Sequence, residues 1–172
     1  MTTDYHLPFH EKASWDEANG SISYLLNKRP QATGDLQRAA QDLRALFQES
    51  FPILDRLCAA TCPFCPDPCC LKATIWFDLK DMVFLHLIHG PIPEAQPLFR
   101  QGETCRYSGP KGCALPRHTR PFICTLYLCP PQRSILRRCK EEDKRFMDMI
   151  QMIKMKRNAL EEAFVRITSA SC

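Results

Sequence analysis

Leu36, Ala39, Ala40, Leu43, Leu46 and Phe47 recur at three- and four-residue steps, the spacing of one face of an α-helix. The pattern predicts a helix from Gly34 with Asp35 as its cap, then a break at SFP (50–52). Pro52 suits a first turn, so a second short helix is expected through Leu57 and Cys58. LKATIWF (71–77), rich in β-branched and aromatic residues, predicts a short strand. DLKDMVFLHLIHG (78–90) reads as a largely buried helix ending at Gly90. SGPKG (108–112) fits a tight reversal between two short extended pieces, and PFICTLYLC (121–129) a short helix stopped by Pro130 and Pro131. Near the C-terminus, Cys139, Phe146, Ile150, Ile153, Leu160, Phe164 and Ile167 form one narrow stripe, with Asp143 and Arg157 in two of its slots. A single long helix over 132–168 follows, its stripe able to pack on the body or to pair with a second copy.

Residues 1–33 show no sustained period, only isolated aromatics at Tyr5, Phe9, Trp15 and Tyr24. They predict an N-terminal arm that docks through SISYLL (21–26), with 34–172 as a single domain. The expected class is α+β, mostly α: an irregular metal-bound cysteine core with a short hairpin, packed by several helices including the C-terminal one.

Composition changes this picture mainly through cysteine. The chain has 172 residues, enough to bury a core without covalent staples, yet it carries eleven cysteines. Such a load points to disulfides in a secreted chain or to metal in a reducing compartment. MTTDYHLPFHEKASWDEANG lacks a basic segment followed by an apolar run, and no stretch has the length of a membrane span. The expectation is a soluble, cytoplasmic protein whose thiols are reduced or metal-bound, with no membrane partner. The net charge of +4 is modest, and its short basic runs, RSILRRCK (133–140) and KMKR (154–157), read as solvated helix faces. Nucleic acid is not an expected partner.

Eight cysteines fall into two groups, Cys62, Cys65, Cys69, Cys70 and Cys105, Cys113, Cys124, Cys129. The first lies in CPFCPDPCC, where three prolines stiffen the loop and present thiols outward. A C-x2-C spacing lets two sulfurs reach one ion. Neighbouring residues of an extended chain point to opposite sides, so Cys69 and Cys70 would serve separate centres, or one a metal and the other a structural role. Eight thiolates could fill two zinc sites, two cubane iron–sulfur clusters, or one of each. Cys58 and Cys139, at apolar positions of helical patterns, read as small hydrophobes, and Cys172 as the chain end. None of His6, His10, His86, His89 and His118 stands at zinc-finger spacing. Asp78 and Asp81 are candidate acids that helix capping explains equally well, so no catalytic residue is assigned.

Read together, C62-x2-C65-x3-C69-C70, C105 followed by G112-C113-A-L, R120-P121-x2-C124 and C129 resemble the CxxCxxCC (YkgJ-like) family of zinc- or iron-chelating proteins. The resemblance covers roughly residues 62–130, with one departure: a second gap of three residues where the family has two. It implies that these eight cysteines are metal ligands. A similar cysteine module occurs in flagellin lysine methylases, much longer chains in which it is associated with an iron–sulfur cluster. Arg120 beside this cluster would offset negative charge, since zinc held by four thiolates leaves about −2 on the site; alternatively it is a surface arginine before a helix-starting proline. The expected function is metal binding, zinc or iron–sulfur, in a structural or protein-interaction role. The alternative is an iron–sulfur enzyme or redox module related to flagellin lysine methylase. Partners, on this reading, are another protein or a second copy joined through the C-terminal helix.

Overall fold

A computed structural model describes residues 8–66, 68–71, 73–98, 103–109 and 112–169. Among these, six α-helices and one two-stranded antiparallel hairpin make an α+β protein that is mostly α. The helices are α1 (Lys12–Asn27), α2 (Pro30–Thr61), α3 (Leu79–Leu87), α4 (Phe122–Leu126), α5 (Pro130–Leu136) and α6 (Lys140–Ser169). No helix of the described residues is long and apolar enough to cross a membrane.

The stripe read at 36–47 is buried as expected, but it belongs to a helix that begins at Pro30 and runs without a break to Thr61. Pro30 occupies the first turn, where its missing N–H is no loss, and the Thr33 hydroxyl donates to the Leu26 carbonyl at 2.7 Å across the turn from α1. Asp35 therefore lies inside the helix, paired with Arg38. Pro52 also lies inside it. A proline there costs roughly 3 kcal/mol. Burying Leu43, Phe47, Leu54 and Leu57 outweighs that, each contributing roughly 1.5–3 kcal/mol.

The segment expected to be irregular at the N-terminus instead forms α1 from Lys12, and Trp15, Ile22 and Leu26 are buried in the common core. Ile22 and Leu26 come from SISYLL, which docks as read. Trp15 packs on Phe77 with ring centroids 5.5 Å apart, and its indole N–H donates to the Pro93 carbonyl at 2.9 Å. Residues 1–7, including Tyr5, lie outside the described residues.

The strand expected over 71–77 does not form: Leu71 closes a 3-10 turn, and residues 73–77 make no regular element and pair with no strand among the described residues. Gln96, fully buried, takes the place of a partner: the Phe77 N–H donates to its Oε1 at 2.7 Å, and its Nε2 donates to the Phe77 carbonyl at 2.9 Å. One side-chain amide supplies the donor and acceptor that a ladder would have supplied.

α3 starts with a reciprocal capping box. The Asp81 N–H donates to Asp78 at 2.9 Å and the Asp78 N–H to Asp81 at 3.3 Å. The left-handed residue that closes this helix is His89 (φ 49°), one before the expected Gly90, whose N–H donates to the Leu85 carbonyl. The C-terminal stripe divides into α5 and α6, separated at 137–139, and Cys139 is exposed. Phe146, Met149, Ile153, Leu160 and Phe164 bury one face of α6 against α2 and α3. Arg157 fills its slot in that face by donating to Asp78 and, at 2.7 Å, to Asp81, while lying 4.6 Å over the Phe122 ring. Burial pushes the Asp81 carboxyl up to about 6, against the pull of Arg157. The Phe122 N–H donates to the same carboxylate at 3.1 Å, so one buried group ties α3, α4 and α6 together.

Candidate thiol site

Cys62 sits at the C-terminal end of α2, where the chain leaves the helix into a single 3-10 turn, Cys62–Phe64. A second 3-10 turn, Cys69–Leu71, follows, stabilised by bonds from Leu71 N–H to the Pro68 carbonyl and Ala73 N–H to the Cys69 carbonyl. Prolines 63, 66 and 68 explain why neither turn grows into a helix. Cys62, Cys65 and Cys69 are exposed and Cys70 is half-buried.

Because Cys69 and Cys70 lie in a turn and not in an extended chain, their sulfurs do not diverge as expected. Cys69 hydrogen-bonds Cys70, which raises the Cys69 pKa and lowers that of Cys70. The Cys105 N–H donates to the Cys70 carbonyl at 3.0 Å, and Cys70 packs against the small cluster of Leu98 and Cys105.

From Cys105 the chain turns into the hairpin of β1 (Ser108–Gly109) and β2 (Gly112–Cys113), as its sequence predicts. Ser108 opposes Cys113 and Gly109 opposes Gly112, whose φ of 99° requires glycine. Residues 110–111 lie outside the described residues. Pro121 then opens α4, placing Cys124 near Cys105, Cys113 and Cys69. Burial first, then the neighbouring thiols, pushes the Cys124 thiol up to about 12, and Arg120 acts in the opposite sense. Burial likewise raises Cys105. Arg120 holds its place by donating from Nε to the Leu115 carbonyl at 2.9 Å.

Cys129 precedes α5, and its N–H donates to Gln132 Oε1 at 3.2 Å. Gln132 is buried, and its Nε2 reaches Cys58 Sγ at 3.5 Å, Cys62 Sγ at 3.7 Å and Thr61 Oγ1 at 3.2 Å. Cys58, set aside in the sequence as a small hydrophobe, therefore stands within the thiol region. Burial, and then Cys58, raises the Cys62 thiol. The signal that could have found Cys58 is its spacing of four from Cys62, one turn along the same helix face. Gln132 carries no such signal.

All ten described cysteines are free thiols. They approach one another in pairs and small groups, and no three His, Cys, Asp or Glu side chains among the described residues are arranged closely enough to hold one ion. By type, the donors suit soft or borderline metals. His86 bonds Asn19 at 3.0 Å and His89 bonds Gln37 at 3.1 Å. Of the basic runs, Arg133 pairs with Asp143 at 3.8 Å and Arg157 is buried. Comparison with protein families, with curated proteins and with solved structures finds no match to this chain.

Proposed function

We propose that this is a cytoplasmic thiolate metal-binding protein in which Cys62, Cys65, Cys69, Cys70, Cys105, Cys113, Cys124 and Cys129 hold zinc or an iron–sulfur cluster. The metal clamps loops that have little apolar bulk of their own, and the clamped surface contacts a protein partner. The observation that carries this reading is the meeting of Cys70, Cys105, Cys113 and Cys124, free thiols from three separate segments, near one another. Crowded, partly buried thiols oppose one another's ionisation; a cation would reverse that penalty by displacing their protons. Further support comes from the order of the cysteines, which resembles that of the CxxCxxCC family apart from one longer gap. Exposed Phe64, Leu71, Ile123 and Tyr127 flank these cysteines and supply apolar area for a partner.

Metal analysis with an absorbance spectrum, on protein purified anaerobically from iron-replete cells, tests the reading. Colourless, zinc-loaded protein supports the structural role. A brown protein whose visible absorbance bleaches on reduction assigns an iron–sulfur cluster. Protein free of both metals, with all thiols titratable, overturns the proposal.

A further inference from the structure

α5 buries Gln132 and Leu136 towards α2. Its outer side then carries Pro130, Arg133, Ser134 and Arg137, at the i, i+3, i+4, i+7 spacing of a single helix face. The chain reaches this helix through Tyr127, which leaves α4 in an extended conformation, and Leu128. Between these two linker residues and the outer face of α5 lies an open cleft of about 470 Å³. That volume falls within the range of small-molecule sites, roughly 300–1,000 Å³.

The cleft combines positive charge, a hydroxyl and an aromatic surface. Arg133 and Arg137 supply two guanidinium forks, Ser134 is exposed, and the Tyr127 side chain is 49% exposed. No carboxylate lines the cleft among the described residues. Arg133 is anchored on one side, with Nη1 at 2.7 Å from Met147 Sδ and 3.8 Å from Asp143 Oδ1. A thioether is a weak acceptor and a guanidinium has five N–H donors, so most of them stay available. Asp143 offsets part of the charge of Arg133. Arg137 keeps its own, since its side chain makes no hydrogen bond or ion pair among the described residues.

Two forks one helical turn apart suit an anion with several acceptor oxygens, which can be shared between them. A phosphomonoester has three such oxygens and a charge of about −1.5 to −2 at neutral pH. A planar ring on the same molecule would stack on Tyr127. We propose that this cleft binds a nucleoside monophosphate. Arg133 and Arg137 hold the phosphoryl oxygens, the Ser134 hydroxyl donates to one of them, and Tyr127 takes the base. The site is independent of the metal-binding reading, because no cysteine lines it.

The test is calorimetric titration of the full chain, in buffer free of phosphate, with adenosine 5′-monophosphate, adenosine and inorganic phosphate. The nucleotide is expected to bind saturably, one per chain, and at least about 10-fold more tightly than either fragment. Arg137→Gln should weaken it by about 10-fold or more, the loss expected for a charge-assisted hydrogen bond. Arg138→Gln removes the same charge from an exposed residue outside the cleft and should change binding by less than about 2-fold. Tyr127→Ala should weaken the nucleotide by about 5- to 10-fold and leave inorganic phosphate unaffected. Arg133 is left in place because it also pairs with Asp143. No saturable binding at roughly millimolar nucleotide overturns the proposal. So does adenosine or inorganic phosphate binding as tightly as the nucleotide, since one part of the ligand would then have no role. Equal effects of Arg137→Gln and Arg138→Gln would reduce the binding to general charge attraction and overturn it as well.

Discussion

Between α2 and α6, side chains such as Leu43, Leu57, Phe146 and Ile153 have no solvent exposure, whereas every described residue from Cys62 to Cys69 is exposed. The helical region is held by apolar burial, which is non-directional and needs only a continuous stripe on each partner. The thiol region has scattered backbone bonds, such as Cys65 to Cys62, Leu71 to Pro68 and Cys105 to Cys70, and almost no apolar volume enclosed around them. One half of the molecule therefore has its own source of stability. The other depends on bonds made by its side chains, and this contrast makes a metal clamp chemically useful where it is proposed.

The contrast breaks most sharply on metal removal. Structural zinc supplies roughly 10–16 kcal/mol of apparent binding free energy. Chelation of metal-loaded protein is expected to raise hydrogen exchange strongly at the Ala73 and Cys105 amides, while amides within 43–57 and 146–160 keep their protection. Equal loss in both regions would show that the helical core is not independent.

A core truncation should act in the opposite place. Phe146→Ala is expected to cost roughly 3–5 kcal/mol in chemical denaturation. Phe64→Ala, at a side chain 81% exposed, should stay within about 0.5 kcal/mol when the free protein is measured. Comparable losses from the two would erase the distinction between the regions.

Smaller again is Gln96→Ala, which leaves the Phe77 N–H and carbonyl buried and unpaired. The expected loss is about 1–3 kcal/mol, read by the same denaturation. A neutral result would mean that water replaces the amide.

The smallest effect concerns His86, whose pKa is lowered by burial while it bonds Asn19. Its ordinary value, about 6.5, then lies above the folded one, so between the two the unfolded chain binds more protons. This contribution is fully present above the ordinary value and is lost as pH falls towards the folded value. His86→Gln should flatten that part of the profile of Tm against pH; an unchanged profile would assign the slope to other groups.

How much of this was legible in the chain depends on the distance over which each feature is decided. The stripes of 36–47 and 146–164 were visible because periodicity is a local property, and burying such a face is favourable against almost any apolar partner. The capping of α3 by Asp78 and the hairpin at 108–113 were visible for the same reason, being settled within a few residues. α1 was not, since Trp15, Ile22 and Leu26 are too sparse to set a period until Phe77 and Pro93 meet them. The expected strand failed because strand propensity says nothing about who pairs, and here the pairing falls to Gln96, nineteen residues away.

The thiol region divides in the same way. The cysteines and their spacings stand in the sequence, and with them the soft-donor chemistry that any metal would meet. Which sulfurs are neighbours was decided by the fold: the turn at Cys69–Leu71 swings two adjacent thiols together, and packing of α5 brings Gln132 to Cys58 across seventy-four positions. Side-chain chemistry and short-range periodicity are properties of the chain alone. The partner of a given donor or thiol is a property of distant segments, which acquire a common location only when the core between them is buried.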